Sequence, residues 1–68
     1  MGPRIEITGP EFERIAQRHP GLVIRSPKSF GHSAYLIRAQ DYYYYTIVKT
    51  PLNLPETCEV LDARQIML

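Results

Sequence analysis

The chain has 68 residues and a formal net charge of +1, and 44% of its residues are hydrophobic. This length allows one small domain, residues 1–68, which buries only about 60% of the surface of its unfolded chain. A single cysteine, and no cysteine–histidine cluster at zinc-site spacing, exclude a disulfide framework, and we expect neither a metal nor a cofactor. A core this small needs extra buried area, which predicts self-association or a protein partner.

The sequence also bears on where the protein acts. No apolar run approaches the roughly 20 residues that span a bilayer. One unpaired cysteine suits a reducing compartment. We therefore expect a cytoplasmic protein without a membrane partner.

Charge is distributed unevenly along the chain. Residues 14–49 contain six basic residues and one acid, whereas the segments on either side are acidic overall. In one interpretation the acidic ends neutralise the basic middle within the fold. In the other, a basic surface meets an anionic partner such as nucleic acid.

The first predicted elements are a short strand and an amphipathic helix. RIEIT alternates apolar and polar residues, as a half-buried strand does. Thr8 and Glu11 have the spacing of a capping box, and Pro10 suits a first helical turn, so a helix is predicted over Gly9–Arg18. Its predicted apolar stripe consists of Phe12, Ile15, Ala16 and His19.

Four more strands follow the helix, and two of them form a hairpin. LVIRS is the second strand, and SAYLIRA and YYYYTIVK form a hairpin across Gln40 and Asp41. Gln40-Asp41 is not the favoured Asn-Gly type of turn, so the alternative to a two-residue turn is a longer loop or a bulge. CEVL is the last strand, and Asp62 with Gln65 predicts a terminal helical turn. The order β-α-β-β-β-β predicts an α+β fold, with one helix packed on a small, mainly antiparallel sheet. The predicted core contains Phe12, Ile15, Ile24, Ile37 and Tyr44.

Four consecutive tyrosines, residues 42–45, are the most unusual feature of the sequence. With a two-residue turn, paired residue numbers sum to 81, so Tyr42 and Tyr44 point to one face and Tyr43 and Tyr45 to the other. The first face carries no charge and is predicted to pack against the helix. The second is either an ordinary half-buried sheet surface or a contact face that stacks nucleotides or docks a protein.

The predicted contact residues share an aromatic or basic side chain on that second face: His32, Arg38, Tyr43, Tyr45 and Lys49. The chain also ends in a strongly apolar run. Met67 and Leu68 are therefore predicted to be a further partner contact.

The order ERIAQRHPG, IRSPKS, SAYLIRA, YYYYTIVK and CEVLDA resembles small phage and toxin nucleases of the barnase/EndoU/RelE-like group. The resemblance covers about residues 12–62, but the second helix normal in such families is missing between the His-Pro and Arg-Ser elements. It implies a metal-independent endoribonuclease whose candidate catalytic residues are His19, Arg25, Lys28 and Tyr43. His19 has a second interpretation as the cap of the helix, where the helix dipole favours its protonated form.

These patterns leave open whether the protein is an enzyme. The leading hypothesis is a small non-catalytic binding module, such as an inhibitor, an adaptor or a phage-type accessory protein. It would act through the aromatic-basic sheet face and the apolar C-terminus. The alternatives are the toxin-type endoribonuclease, as in toxin–antitoxin pairs, and a domain that binds RNA or single-stranded DNA without catalysis.

Overall fold

The computed structural model describes residues 3–66, so the predicted contacts at Met67 and Leu68 lie outside the described residues. The elements are β1 (Arg4–Glu6), α1 (Gly9–Arg18), β2 (Leu22–Pro27), a 3₁₀ turn (Ser29–Gly31), β3 (Ser33–Ala39), β4 (Tyr42–Val48), β5 (Glu59–Asp62) and α2 (Ala63–Ile66). The predicted α+β class and the order β-α-β-β-β-β are confirmed. The predicted terminal helical turn is present as α2.

The five strands form one sheet in the order β1-β4-β3-β2-β5. The central strand β3 is antiparallel to both of its neighbours, whereas the outer pairings, β1 with β4 and β2 with β5, are parallel. Consecutive strands that run in the same direction need a long crossover connection. The chain has two: α1 links β1 to β2, and residues 49–58 link β4 to β5, and neither connection joins neighbouring strands.

Both connections pack on the same face of the sheet. The buried cluster combines the helix residues Phe12 and Ala16 with sheet residues from β2 and β3. Three side chains from the 49–58 connection pack against that cluster: Leu52, Leu54 and Cys58. We call this side of the sheet the covered face.

Local chemistry sets the limits of α1. The Oγ1 atom of Thr8 accepts a hydrogen bond from the Glu11 backbone N–H at 3.3 Å, and its hydroxyl donates to Glu11 Oε1 at 3.0 Å. These contacts satisfy one of the free amides at the helix N-terminus. At the other end the backbone N–H of His19 donates to the carbonyl of Ile15, and His19 is the C-cap residue.

The hairpin of β3 and β4 has the predicted register. The ladder runs from Ala39 opposite Tyr42 to Ser33 opposite Val48, so the residue numbers of every pair in it sum to 81. Gln40, in the turn, has a φ of 57°, in the left-handed region that a tight hairpin turn requires.

The predicted core is confirmed for four of its five members. Phe12 and Ile37 are buried in the cluster, and Ile15 and Tyr44 pack against it. Ile24 was assigned to this core wrongly, because it lies on the opposite side of the sheet. The apolar run Leu22–Ile24 alternates like any strand, so only Val23 points under α1 and becomes fully buried.

Candidate functional site

The face of the sheet opposite α1 is covered neither by that helix nor by the 49–58 connection. We call it the open face. Its side chains are half-buried or exposed, in contrast to the buried residues on the covered face. Alternation along the five strands gives its membership: Arg4, Glu6, Leu22, Ile24, Ser26, Ala34, Leu36, Arg38, Tyr43, Tyr45, Ile47, Glu59 and Leu61.

Two neighbouring rows of the open face are mainly apolar. In one row Tyr45 lies opposite Leu36, which is followed by Ile24 on β2 and Leu61 on β5. In the next row Ile47 lies opposite Ala34. We call the six residues of these two rows the apolar band: Ile24, Ala34, Leu36, Tyr45, Ile47 and Leu61. They make a continuous hydrophobic strip across the sheet, in which Ile47 is exposed and the other five residues are half-buried. Contiguous apolar patches that reach the surface mark interaction sites.

Basic side chains lie beyond the apolar band at both ends of the strands. Arg4 and Arg38 flank Tyr43 in the row at one end. Lys28 follows β2 at the other end. A concavity of about 480 Å³ joins these regions. Its lining includes Arg4, Ser26, Lys28, Tyr45 and the aliphatic residues Ile24, Ala34, Leu36 and Ile47. The site is thus an apolar strip with basic side chains beyond both of its ends, and the row that contains Arg4 and Arg38 also contains Glu59.

The four tyrosines divide between the two faces as predicted. Tyr43 and Tyr45 belong to the open face, where they pair with Arg38 and Leu36 of β3. Tyr44 packs against the core, and its ring centroid lies 6.4 Å from that of Tyr42 at a tilt of 47°. One pair therefore supports the fold, and the other is available for contact.

The structure brings together only part of the predicted contact set. Arg38, Tyr43 and Tyr45 share the open face. His32 directly precedes β3, and its Nδ1 is 3.2 Å from the Ser29 carbonyl oxygen. Lys49 follows the last rung of the ladder and instead lines a cavity with Pro10 and Glu13 beside α1. The reason is that the chain turns toward the covered face after Val48 to begin the connection to β5.

The residues suspected of nuclease catalysis occupy separate parts of the molecule. His19 ends α1 and lines a small cavity with Arg18, Gln40 and Tyr44. Lys28 lies beyond the far end of β2, six residues after that strand begins at Leu22. Arg25 is on the covered face, and Tyr43 is on the open face. The structure does not gather these four side chains around one reacting atom.

Arg25 belongs to an ion-pair cluster that the sequence patterns did not identify. Its Nη2 lies 3.2 Å from Asp62 Oδ2, and the Nη2 of Arg64 lies 3.0 Å from the same oxygen. The backbone N–H of Arg64 also donates to Asp62 Oδ1, so Asp62 caps α2. The side-chain and backbone hydrogen bonds from Arg64, followed by the bond from Arg25, hold the pKa of Asp62 well below its usual range. In the sequence, one pattern pointed to part of this cluster: the capping-box spacing of Asp62 and Gln65, which predicts a helical turn that begins after Asp62.

Phe30 is a second feature that sequence reasoning missed. It lies in the loop between β2 and β3 with φ 59°, and 92% of its surface is exposed. Bulky residues seldom adopt this left-handed backbone. A backbone bond from Lys28 N–H to the His32 carbonyl closes the loop around it. The only local signal is the following Gly31, which also has a positive φ.

Comparison with protein-family models, with curated proteins and with solved structures finds no match to this chain. Within residues 3–66, no cluster of three or more acidic, histidine or cysteine side chains is arranged to hold a metal ion. No helix in the described part of the chain has the length and apolar character needed to cross a membrane.

Proposed function

We propose that this protein is a small non-catalytic binding module whose open face docks another protein surface. An inhibitor, an adaptor and a phage-type accessory protein are the kinds of module that fit. The observation that carries the proposal is the apolar band, which the fold leaves uncovered although the chain has so few residues to bury. We place its activity in the cytoplasm, where its one free thiol, Cys58, would stay reduced.

The composition of the open face favours protein over nucleic acid. Its centre is aliphatic, with Leu36 and Ile24 beside Tyr45, and aliphatic side chains offer no flat platform for bases. Glu6 lies directly beside Tyr45, where its carboxylate would repel a phosphate backbone. Hydrophobic centres with tyrosine and arginine are typical of protein interfaces.

A second candidate is binding of RNA or single-stranded DNA without catalysis. The row that places Tyr43 between Arg4 and Arg38 favours it, because an aromatic ring between cations can stack a base next to its phosphates. The endoribonuclease hypothesis has less support, since its four suspected residues are dispersed.

In-cell photocrosslinking tests the proposal directly. A photoreactive amino acid replaces Ile47, which is 47% exposed on the open face, and expression is carried out in the native host. The matched control carries the same residue at Gln17, on the outer surface of α1. We expect a discrete protein adduct from position 47 and none from position 17. Equal adducts from both positions would show that the open face is not the binding surface.

The same samples distinguish the alternatives. The adduct could instead be sensitive to ribonuclease or deoxyribonuclease, with binding that falls steeply with salt concentration. That result would show that the partner is a nucleic acid and not a protein. RNA cleavage by the purified protein in EDTA, abolished by His19→Ala or Lys28→Ala, would establish the endoribonuclease instead. We expect His19→Ala to leave partner capture unchanged, because His19 lies away from the open face at the end of α1.

A further inference from the structure

We propose that the protein surface that covers the open face is the open face of a second copy of this chain. The inference rests on the proposed function, because it names the partner of the same surface. It predicts a symmetric dimer in which two sheets stack through their apolar bands. Three independent properties of the molecule support it: its excess surface, the mixed charge of the open face and the symmetry of the strand order.

The chain exposes more surface than a monomer of its size normally does. Its accessible surface is 5041 Å². A compact monomer of 7.9 kDa is expected to expose about 4,400 Å². The difference of roughly 600 Å² approaches the ~800 Å² that each partner buries in a typical stable complex.

The open face carries charges of both signs, as a self-complementary surface must. Arg4 and Glu59 lie in the same row but on opposite edge strands, β1 and β5. Between residues 3 and 66 neither side chain forms an ion pair. A foreign partner of one sign would match only one of them, whereas an identical face offers both.

The strand order shows how two copies would fit. In β1-β4-β3-β2-β5 both edge strands lie two strands from β3, about 10 Å away. Consider a two-fold axis that lies between the two open faces and runs parallel to β3. It places β1 of one copy over β5 of the other, and each row of one open face over the same row of the second copy. Stacked sheets of this kind align within about 30°. Arg4 thereby faces Glu59 of the second copy, twice per dimer.

The same axis defines the rest of the contact. Tyr45 of one copy meets Ile24 of the other, and Leu36 meets its own counterpart at the axis. Two contacts are unfavourable: Arg38, also on β3, meets its own counterpart, and Glu6 on β1 lies over the apolar Leu61 on β5. This geometry therefore makes an unusual prediction, that loss of the Arg38 charge strengthens association.

Sedimentation equilibrium of the purified chain over a wide concentration range tests the proposal. We expect a monomer–dimer equilibrium, weakened roughly a hundredfold or more by Ile47→Glu, because the interface would desolvate an unpaired carboxylate. The control is Val60→Glu, since Val60 is similarly exposed (45% against 47%) but lies on the covered face. Circular dichroism and melting curves verify that both variants fold.

Exchanging the charges of Arg4 and Glu59 tests the proposed two-fold symmetry of the dimer. Arg4→Glu and Glu59→Arg should each weaken the dimer several-fold, and the double variant should restore it. Arg38→Gln should strengthen it. A wild-type monomer at every concentration, equal effects of Ile47→Glu and Val60→Glu, or no recovery in the double variant would each overturn the proposal. A photocrosslink from position 47 to a different protein, with a purely monomeric chain, would overturn this inference and leave the proposed function standing.

Discussion

Single residues in this chain take their roles from the face of the sheet they occupy. Adjacent tyrosines are indistinguishable by composition, yet Tyr44 packs against the core and Tyr45 joins the apolar band. Tyrosine suits both positions because its ring is apolar and its hydroxyl can stay at a wet margin. Four tyrosines in a row therefore reflect a strand with different contacts on its two sides.

Asp62 is the residue whose ionisation should matter most for stability. Its pKa is held below the usual value by Arg64, first through hydrogen bonds, and by Arg25. A carboxyl whose folded pKa is lowered stabilises the protein fully above its unfolded pKa, near 4, and loses that contribution as pH falls toward the folded pKa. The stabilisation should therefore be complete at neutral pH and decline in acid.

Urea unfolding of wild type and Asp62→Asn between pH 7 and pH 2.5 measures this contribution. We expect the wild type to be the more stable at neutral pH and the difference to be constant above about pH 5. Below about pH 4 the difference should shrink, because asparagine does not titrate. A difference that stays constant down to pH 2.5 would show that the Arg64 and Arg25 contacts do not act on the Asp62 charge.

At the scale of elements, α1 is the piece that completes the core. Its cap at Thr8 fixes where it begins, and its buried stripe, Phe12 and Ala16, is fully inaccessible to solvent. Short helices are marginal by themselves in water, and most of their stability comes from packing an apolar face. The sheet and this ten-residue helix therefore depend on each other.

The stripe of α1 is tested by Ile15→Ala. Ile15 packs against the core but is only partly buried, so we expect a loss of about 2 kcal/mol, at the low end for such truncations. Ile47→Ala on the open face is the matched control and should cost clearly less in the isolated chain. Chemical unfolding at low protein concentration measures both. Equal losses would mean that the open face contributes as much as the covered face to the fold of one chain.

At the scale of the whole molecule, stability should decrease from the centre of the sheet to its edges. The central strand β3 is paired on both sides and contains Tyr35 and Ile37, which are 5% and 1% exposed. The edge strand β1 has three residues and one neighbour. Local opening is easiest where few contacts must break.

Amide hydrogen exchange measured by NMR should follow this order. We expect the slowest exchange at Tyr35 and Ile37 and much faster exchange along Arg4–Glu6. Uniform protection across the sheet would show that it opens only as one cooperative unit. A dimer through the open face would slow exchange with rising protein concentration, which a dilution series can separate from the intrinsic order.

The elements that have local causes can be predicted from the amino-acid sequence. Helix bounds at Gly9 and Arg18 followed from capping chemistry, and the register of the hairpin followed from its two-residue turn and from alternation. The division of the tyrosines between two faces followed from the same alternation. Each of these depends on residues that are close in the chain, so their pattern is visible in the sequence.

The choice of neighbouring strands and of the uncovered face depends instead on contacts between distant segments of the chain. The parallel pairings of β1 with β4 and of β2 with β5 join residues about 40 positions apart, and no local pattern specifies them. Residues 49–58 run over the covered face, and Lys49 therefore lies away from the open face. Alternation along β2 places Ile24 on the open face. The physical reason is that such contacts form only when distant segments meet, and their energy depends on the surface that all of them bury together.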